Sequence, residues 1–275
     1  MTRFGIALPS GGSSSPPLTA TAIAAAAREI EAAGFTSAWA FDSIGRGWLH
    51  ADPLMALAVA ATVTRDLEVG TGVLQVPLRH PVELAQRVLT AHVIAGGRLL
   101  LGVGAGSTAA DFEALGLDFA ARFRRLDESL GVMRRLWMGE TVNGASLGPI
   151  WPAALGGPKV LIGSWAGSKW IVRAAREFDG WVGSGARSSC RALREGITRF
   201  RDLGGKRAIV TNVRVDLEAA TASPDGPDDP FDLRCPPAIA RARLQELVSL
   251  GYDDVVLVPR RHDAGHLKEL RELAG

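Results

Sequence analysis

Eight short apolar runs, each followed by a segment of helical character, recur along the 275 residues of this chain. Strict alternation of this kind builds a parallel sheet, because a helix must carry the chain back before the next parallel strand can start. The runs are Phe4–Leu8, Ala38–Phe41, Leu67–Val73, Leu99–Gly104, Lys159–Gly163, Gly180–Gly183, Ala208–Val215 and Asp254–Val258. Thr19 offers a cap to an Ala-rich helix that ends near Gly34, and Asp52-Pro53 opens the next with a cap and a first-turn proline. Further helices begin at Pro81, span Arg122–Trp137, run to Glu177, run through Arg199, span Pro237–Leu250 and close the chain. Eight strand–helix units in about 250 residues predict an α/β fold: a single-domain (β/α)8 TIM barrel over residues 1–275. A doubly wound sheet is the alternative. It calls for a phosphate-binding turn after the first strand, and Ser10–Pro17 is Gly/Ser-rich but starts no clear helix at its glycines.

Composition narrows the function classes. Apolar residues make up 47% and charged residues 22%, as in ordinary packed proteins. Net charge is +2 and the basic residues are scattered, so no nucleic-acid or membrane footprint is expected. Cys190 and Cys235 lack metal-ligand spacing. The opening apolar run is too short for a signal sequence, and no stretch has membrane-spanning length. A cytoplasmic protein is expected.

Two connections are long. Residues 139–158 join the fourth helix to the fifth strand, and residues 218–236 follow the seventh strand. The second carries Asp225, Asp228, Asp229 and Asp232. Its prolines and irregular spacing favour a flexible solvated loop over a metal site.

Several ordered stretches resemble the luciferase-like monooxygenase superfamily. They are Asp52-Pro53 with Leu57, Val69–Val73, Arg79–Pro81, Gly97-Arg98, Leu101–Gly106, and Arg122 with Glu128 and Trp137. Val160–Gly163, Arg173–Arg176 and Asp179–Trp181 continue the pattern, which covers about two thirds of the chain. The resemblance implies an oxidoreductase with FMN or coenzyme F420 across the C-terminal mouth of the barrel. It implies hydride transfer or monooxygenation of a small organic substrate, and a homodimer built through barrel helices such as Ala20–Ala33 and Pro53–Thr64.

Candidate site residues follow from this pattern and from the residues themselves. Glycine inside a strand marks a bulge or a close approach to a ligand. Gly72 and Val73 lie at such a point, and the family carries a cis peptide there that supports the flavin ring. Gly104, Ala105 and Gly106 leave the fourth strand with backbone N–H groups able to face an anion. Luciferases place a phosphate-binding arginine at what is here Ala105, and its loss leans toward F420. Gly163, Ser164, Gly167 and Ser168 precede a helix, where N–H groups and the dipole favour a phosphate; Ser168 as a plain cap is the alternative. Asp42 is the catalytic candidate after the second strand, but Ser43 stands where relatives carry histidine. His50 in the same loop is the replacement candidate, with an imidazole suited to proton transfer near neutrality. Trp48 and Trp165 are placed to cover the substrate. A non-catalytic flavin-binding relative is the second reading. A metal-dependent barrel hydrolase is the third, and only Asp42 is well placed for it.

Overall fold

All eight apolar runs become strands, and every neighbouring pair is parallel. The computed structural model describes residues 2–11 and 18–275. The turn read at Ser10–Pro17 falls outside the described residues from 12 to 17. The strands are β1 (Arg3–Ala7), β2 (Ser37–Ala40), β3 (Glu68–Thr71), β4 (Leu99–Gly104), β5 (Lys159–Gly163), β6 (Gly180–Ser184), β7 (Arg207–Asp216) and β8 (Asp254–Val258). The helices between and after them are α1 (Ala22–Ala32), α2 (Pro53–Val63), α3 (Pro81–Ile94), α4 (Arg122–Trp137), α5 (Trp170–Glu177), α6 (Cys190–Asp202), α7 (Pro237–Ser249) and α8 (Ala264–Ala274). Each strand pairs with the next, and β8 pairs with both β7 and β1. The sheet therefore closes into the expected barrel.

Local chemistry explains most of the helix starts. The Asp52 carboxylate accepts from the Leu54 and Met55 amides at the head of α2, as read from sequence. The reading at Thr19 needs correction. α1 starts at Ala22, and Thr19 contributes only its carbonyl, which accepts from the Ala22 amide. The five alanines between Ala22 and Ala27 prolong a helix without marking where it begins.

Two hydrophobic layers hold the barrel. The larger lies between sheet and helices, the smaller inside the barrel. Inside, Trp39, Leu100, Leu161, Val182, Ile209 and Val256 pack together, with Val73 above them. The Trp39 indole fits because its neighbours are glycines: a Cβ on Gly70 would lie 2.6 Å from the ring. Its Nε1 donates to Ser37 Oγ at 2.8 Å.

Charges close the base of the barrel. Arg207 at the start of β7 donates to Glu68 at the start of β3 (2.6 and 3.0 Å) and to Asp254 at the start of β8 (2.9 and 3.0 Å). Arg3 adds a second cation to Asp254 at 3.0 Å. The Asp254 side chain is 0% exposed.

The 218–236 connection, expected as flexible, is anchored near its end. Phe231, Leu233 and Cys235 are buried, and Leu233-Arg234 pairs with the end of β7. The buried Asp232 carboxylate accepts from Ser223 and Arg234, and Arg243 donates to the Ser223 carbonyl. Asp228 stays exposed. Among the described residues, no group of three or more His, Cys, Asp or Glu side chains is placed to hold a metal, and no helix is long and apolar enough to cross a membrane.

Two histidines tie stability to pH. Burial holds the pKa of His92 below the ordinary imidazole value. Burial does the same for His262, against the opposing pull of its contact with the Ala7 carbonyl at 2.6 Å. The unfolded chain therefore takes up protons that the folded chain does not. Stability is full above about pH 6.5 and falls as pH drops below it. The melting temperature is expected to fall between pH 7.5 and 5.5, and a His262→Gln variant to show a flatter profile. Identical slopes in the two proteins would remove His262 from the account.

Candidate active site

The C-terminal ends of the strands surround a cavity of about 560 Å³. That is the size of ordinary small-molecule sites, at the barrel end where loops after strands converge. Its floor is shaped by two bulges. From Gly70 to Leu74 the chain advances four residues while its partner advances three, from Leu100 to Val103. Across the barrel, Val210 to Val213 advances three against two, Val255 to Leu257. Bulges re-aim side chains and gather beside active sites.

The first bulge holds Gly72 and Val73, and the peptide between them is cis. The second holds Asn212, with φ of 57°, a region that asparagine tolerates better than most residues. Asn212 Nδ2 donates to the Gly72 carbonyl at 3.3 Å and joins the two. Val73 rests in a cradle made by absent side chains. A Cβ on Gly104 would lie 2.8 Å from Val73 Cγ2, and one on Gly163 2.7 Å from Val73 Cγ1.

Most of the residues read from sequence line this one cavity. Gly72, Val73, Gly104, Ala105 and Gly106 lie on the β3 and β4 side. Gly163, Ser164, Ser168 and Trp165 lie at the end of β5, and Asp42, Trp48 and His50 follow β2. Gly167 does not line it. Ser168 N donates to the Trp165 carbonyl at 3.0 Å, and the turn this closes leaves Gly167 exposed. Ser168 Oγ also accepts from the Trp170 amide at 3.1 Å, so it caps α5 as well as facing the cavity. Ser164 Oγ and Trp170 Nε1 are buried with no hydrogen-bond partner among the described residues.

Asp42 is held away from the open space. Its carboxylate takes two bonds from Arg79, at 2.6 and 2.9 Å, and one from the Gln75 amide at 2.9 Å. It therefore positions the loop more directly than it meets a ligand. His50 lies on the wall, with only a 3.4 Å contact from Nδ1 to the Ala51 carbonyl. Ser43 lines the cavity where a histidine was expected from the resemblance.

Sequence reading missed a clasp. Arg46 donates to Asp111 through Nε at 2.9 Å and through a terminal nitrogen at 2.7 Å, and Gln75 Nε2 donates to the same carboxylate at 3.0 Å. Burial pushes the Asp111 carboxyl pKa up, but the hydrogen bonds from Arg46 and Gln75 outweigh it and hold the group below the usual carboxylate value. With Asp42–Arg79 at one end and Asp52–Arg87 (2.7 Å) at the other, the 41–52 loop is pinned at three points. Trp48 and His50 are thereby held over the cavity. An Arg46→Met variant leaves Asp111 with Gln75 alone. Because Arg46 is one-third exposed, the expected loss is modest, about 1–2 kcal/mol. Amide exchange over residues 43–50 is expected to quicken; unchanged exchange there would show that the clasp does not hold the loop.

Comparison with known proteins follows this geometry. The family model described as luciferase-like monooxygenase matches residues 2–222. The 4-hydroxyprotoasukamycin monooxygenase of Streptomyces nodosus subsp. asukaensis is 40% identical over 108 residues, 39% of this chain and 29% of that protein. The F420-dependent glucose-6-phosphate dehydrogenase of Amycolatopsis mediterranei is 33% identical over 122 residues, 41% of this chain and 36% of that protein. The matches to these two relatives thus span about a third of each. The crystal structure of monooxygenase RslO1 from Streptomyces bottropensis superposes with a TM-score of 0.76 at 18% identity, covering 99% of this chain and 97% of that one. The coenzyme F420 dependent tetrahydromethanopterin reductase from Methanopyrus kandleri gives 0.70 at 17% identity, covering 98% and 97%. At these identities the structures bear on the fold alone.

Proposed function

Because this chain belongs to the luciferase-like monooxygenase family, we propose that it is an oxidoreductase binding a flavin-type cofactor, FMN or coenzyme F420, across the mouth of its barrel and acting on a small organic substrate. The observation that carries this reading is the cradle of Val73 between Gly104 and Gly163, facing a cavity with an unpartnered Ser164 hydroxyl. A flat ring needs an apolar support free of side chains, and its phosphate tail needs donors. The residues present fit both needs.

In this reading Gly72, Val73, Gly104 and Gly106 border the ring, and Ser164 and Ser168 donate to the phosphate. The bound cofactor supplies the redox chemistry, and the protein supplies orientation and electrostatics. Trp48 and Trp165 cover the mouth and exclude water. His50 holds or releases a proton at a ring nitrogen facing the cavity, while Asp42 positions the loop. Ala105 offers no cation to the cavity, which favours F420 over a luciferase-like grip on FMN.

Titration of the purified protein with FMN and with F420, followed by absorbance and fluorescence, tests this. Low-micromolar binding of one is expected; failure of both below high micromolar concentrations sinks the proposal. Ser43 in place of histidine supports a second reading, a non-catalytic flavin binder. Binding without turnover of reduced cofactor with oxygen or organic acceptors would select it.

The homodimer belongs to the same proposal. α2 is apolar on most of its surface and leaves Met55 67% exposed beside Val59. Sedimentation is expected to give a dimer that Met55→Glu converts to a monomer; a native monomer at tens of micromolar rejects it.

A further inference from the structure

We propose that Asn212 reads one polar edge of the ligand ring: its carboxamide oxygen accepts from the imide N–H, at N3, of a flavin or deazaflavin resting on Val73. This rests on the proposed function and deepens it, by naming the group that decides which edge of the ring turns toward β7.

A strand sends successive side chains to opposite faces. β7 departs from this at its C-terminal end. Ile209 packs inside the barrel, whereas Val210 and Val213 both lie in the layer between sheet and helices. Between those two valines, Thr211 and Asn212 both line the cavity. The bulge supplies the extra residue, and Asn212 takes it up with φ of 57°. A residue other than glycine keeps such a conformation only where its surroundings enforce it, and such residues gather at functional sites.

The hydrogen bonds fix which end of the amide meets a ligand. Asn212 Nδ2 donates to the Gly72 carbonyl at 3.3 Å and to Thr211 Oγ1 at 3.2 Å. A carbonyl only accepts, so the amide nitrogen must be the end that faces Gly72. The Thr211 hydroxyl donates its proton to the Gly183 carbonyl at 3.2 Å, so toward Asn212 it acts as an acceptor. Both N–H groups of the amide are thus spent inside the protein. Asn212 is half-buried, and its Oδ1 takes no donor among the described residues.

The other acceptors on the lining are less open. Gln75 carries the second carboxamide, but it is 5% exposed, and its oxygen would lie 2.7 Å from a Cβ on Gly106. The Asp42 carboxylate is taken by Arg79 and the Gln75 amide. Asn212 also stands beside the ring's seat. It is bonded to Gly72, the residue before Val73, and the Thr211 methyl would lie 3.3 Å from a Cβ on that glycine. The ring of oxidised FMN or F420 carries one N–H, at N3, between the two carbonyls of its pyrimidine edge. A fixed amide oxygen beside the seat is the complement of that group.

The test uses the full chain, the variants Asn212→Gly and Asn212→Asp, and as probes FMN, F420 and the N3-methyl form of each. Glycine and aspartate both tolerate the backbone conformation at this position, so both variants are expected to fold, which melting curves check. By fluorescence titration, native protein is expected to bind the N3–H form of its cofactor about tenfold more tightly than the N3-methyl form. In Asn212→Gly the N3–H form is expected to lose about that factor, leaving the two forms within about twofold. Asn212→Asp keeps an oxygen in place and is expected to retain a preference for the N3–H form, a rescue that a purely structural role would not give. Native protein that binds both forms alike overturns the proposal before any variant is made, and so does a preference that survives intact in Asn212→Gly. In both of those cases the flavin reading stands. Native protein that binds none of these probes removes the flavin reading and this inference with it.

Discussion

An Arg207→Met variant is expected to unfold about 3 kcal/mol more easily than the native protein, with ligand binding at the mouth unchanged. Arg207 ties three strand starts together through Glu68 and Asp254. Removing it strands the fully buried Asp254 carboxylate with Arg3 alone, whose side chain is 41% exposed. Breaking one partner of a buried pair costs about 3–5 kcal/mol, and the lower figure allows for Arg3. Methionine keeps the apolar stem, so the loss reports on charge more than on packing. Urea unfolding followed by circular dichroism measures it. A shift below about 1 kcal/mol would mean that these charges behave like an exposed surface pair.

Two glycines two positions apart are expected to fail in different ways when changed to alanine. A Cβ on Gly102 would sit against the Thr71 carbonyl oxygen, well inside van der Waals contact. That atom is backbone in the next strand and cannot give way. Gly102→Ala is expected to cost about 3 kcal/mol or more, or to prevent folding. A Cβ on Gly104 meets only the end of Val73, at 2.8 Å. Val73 borders the cavity and can move into it. Gly104→Ala is therefore expected to cost about 1 kcal/mol in stability and to weaken FMN or F420 binding by about tenfold. Melting curves and cofactor titration on both variants separate these outcomes. A stable Gly102→Ala protein, or a Gly104→Ala protein with native affinity, would contradict the cradle as described.

The strands and most helices were legible because they answer to local rules. An apolar run of four to eight residues bounded by turn chemistry reads as a buried strand. Asp52-Pro53 reads as a helix start from the cap and the proline alone. The glycine cradle was legible because glycine is costly inside a strand and therefore marks a place of close approach. Thr19 misled because a run of alanines fits a helix in any register. Gly167 misled because a glycine at a turn looks the same whether it faces the ligand or the solvent.

The order of strands and helices, and with it the closed barrel whose C-terminal mouth carries Gly72, Gly104 and Gly163, was determined by the chain's own alternation. Which side chains meet across that mouth was decided only by the tertiary structure. Arg46 and Asp111 are 65 residues apart, Asn212 and Gly72 140 apart. A backbone preference is expressed within a few residues, whereas a charge is matched or left open by whatever the fold brings within a few ångströms of it.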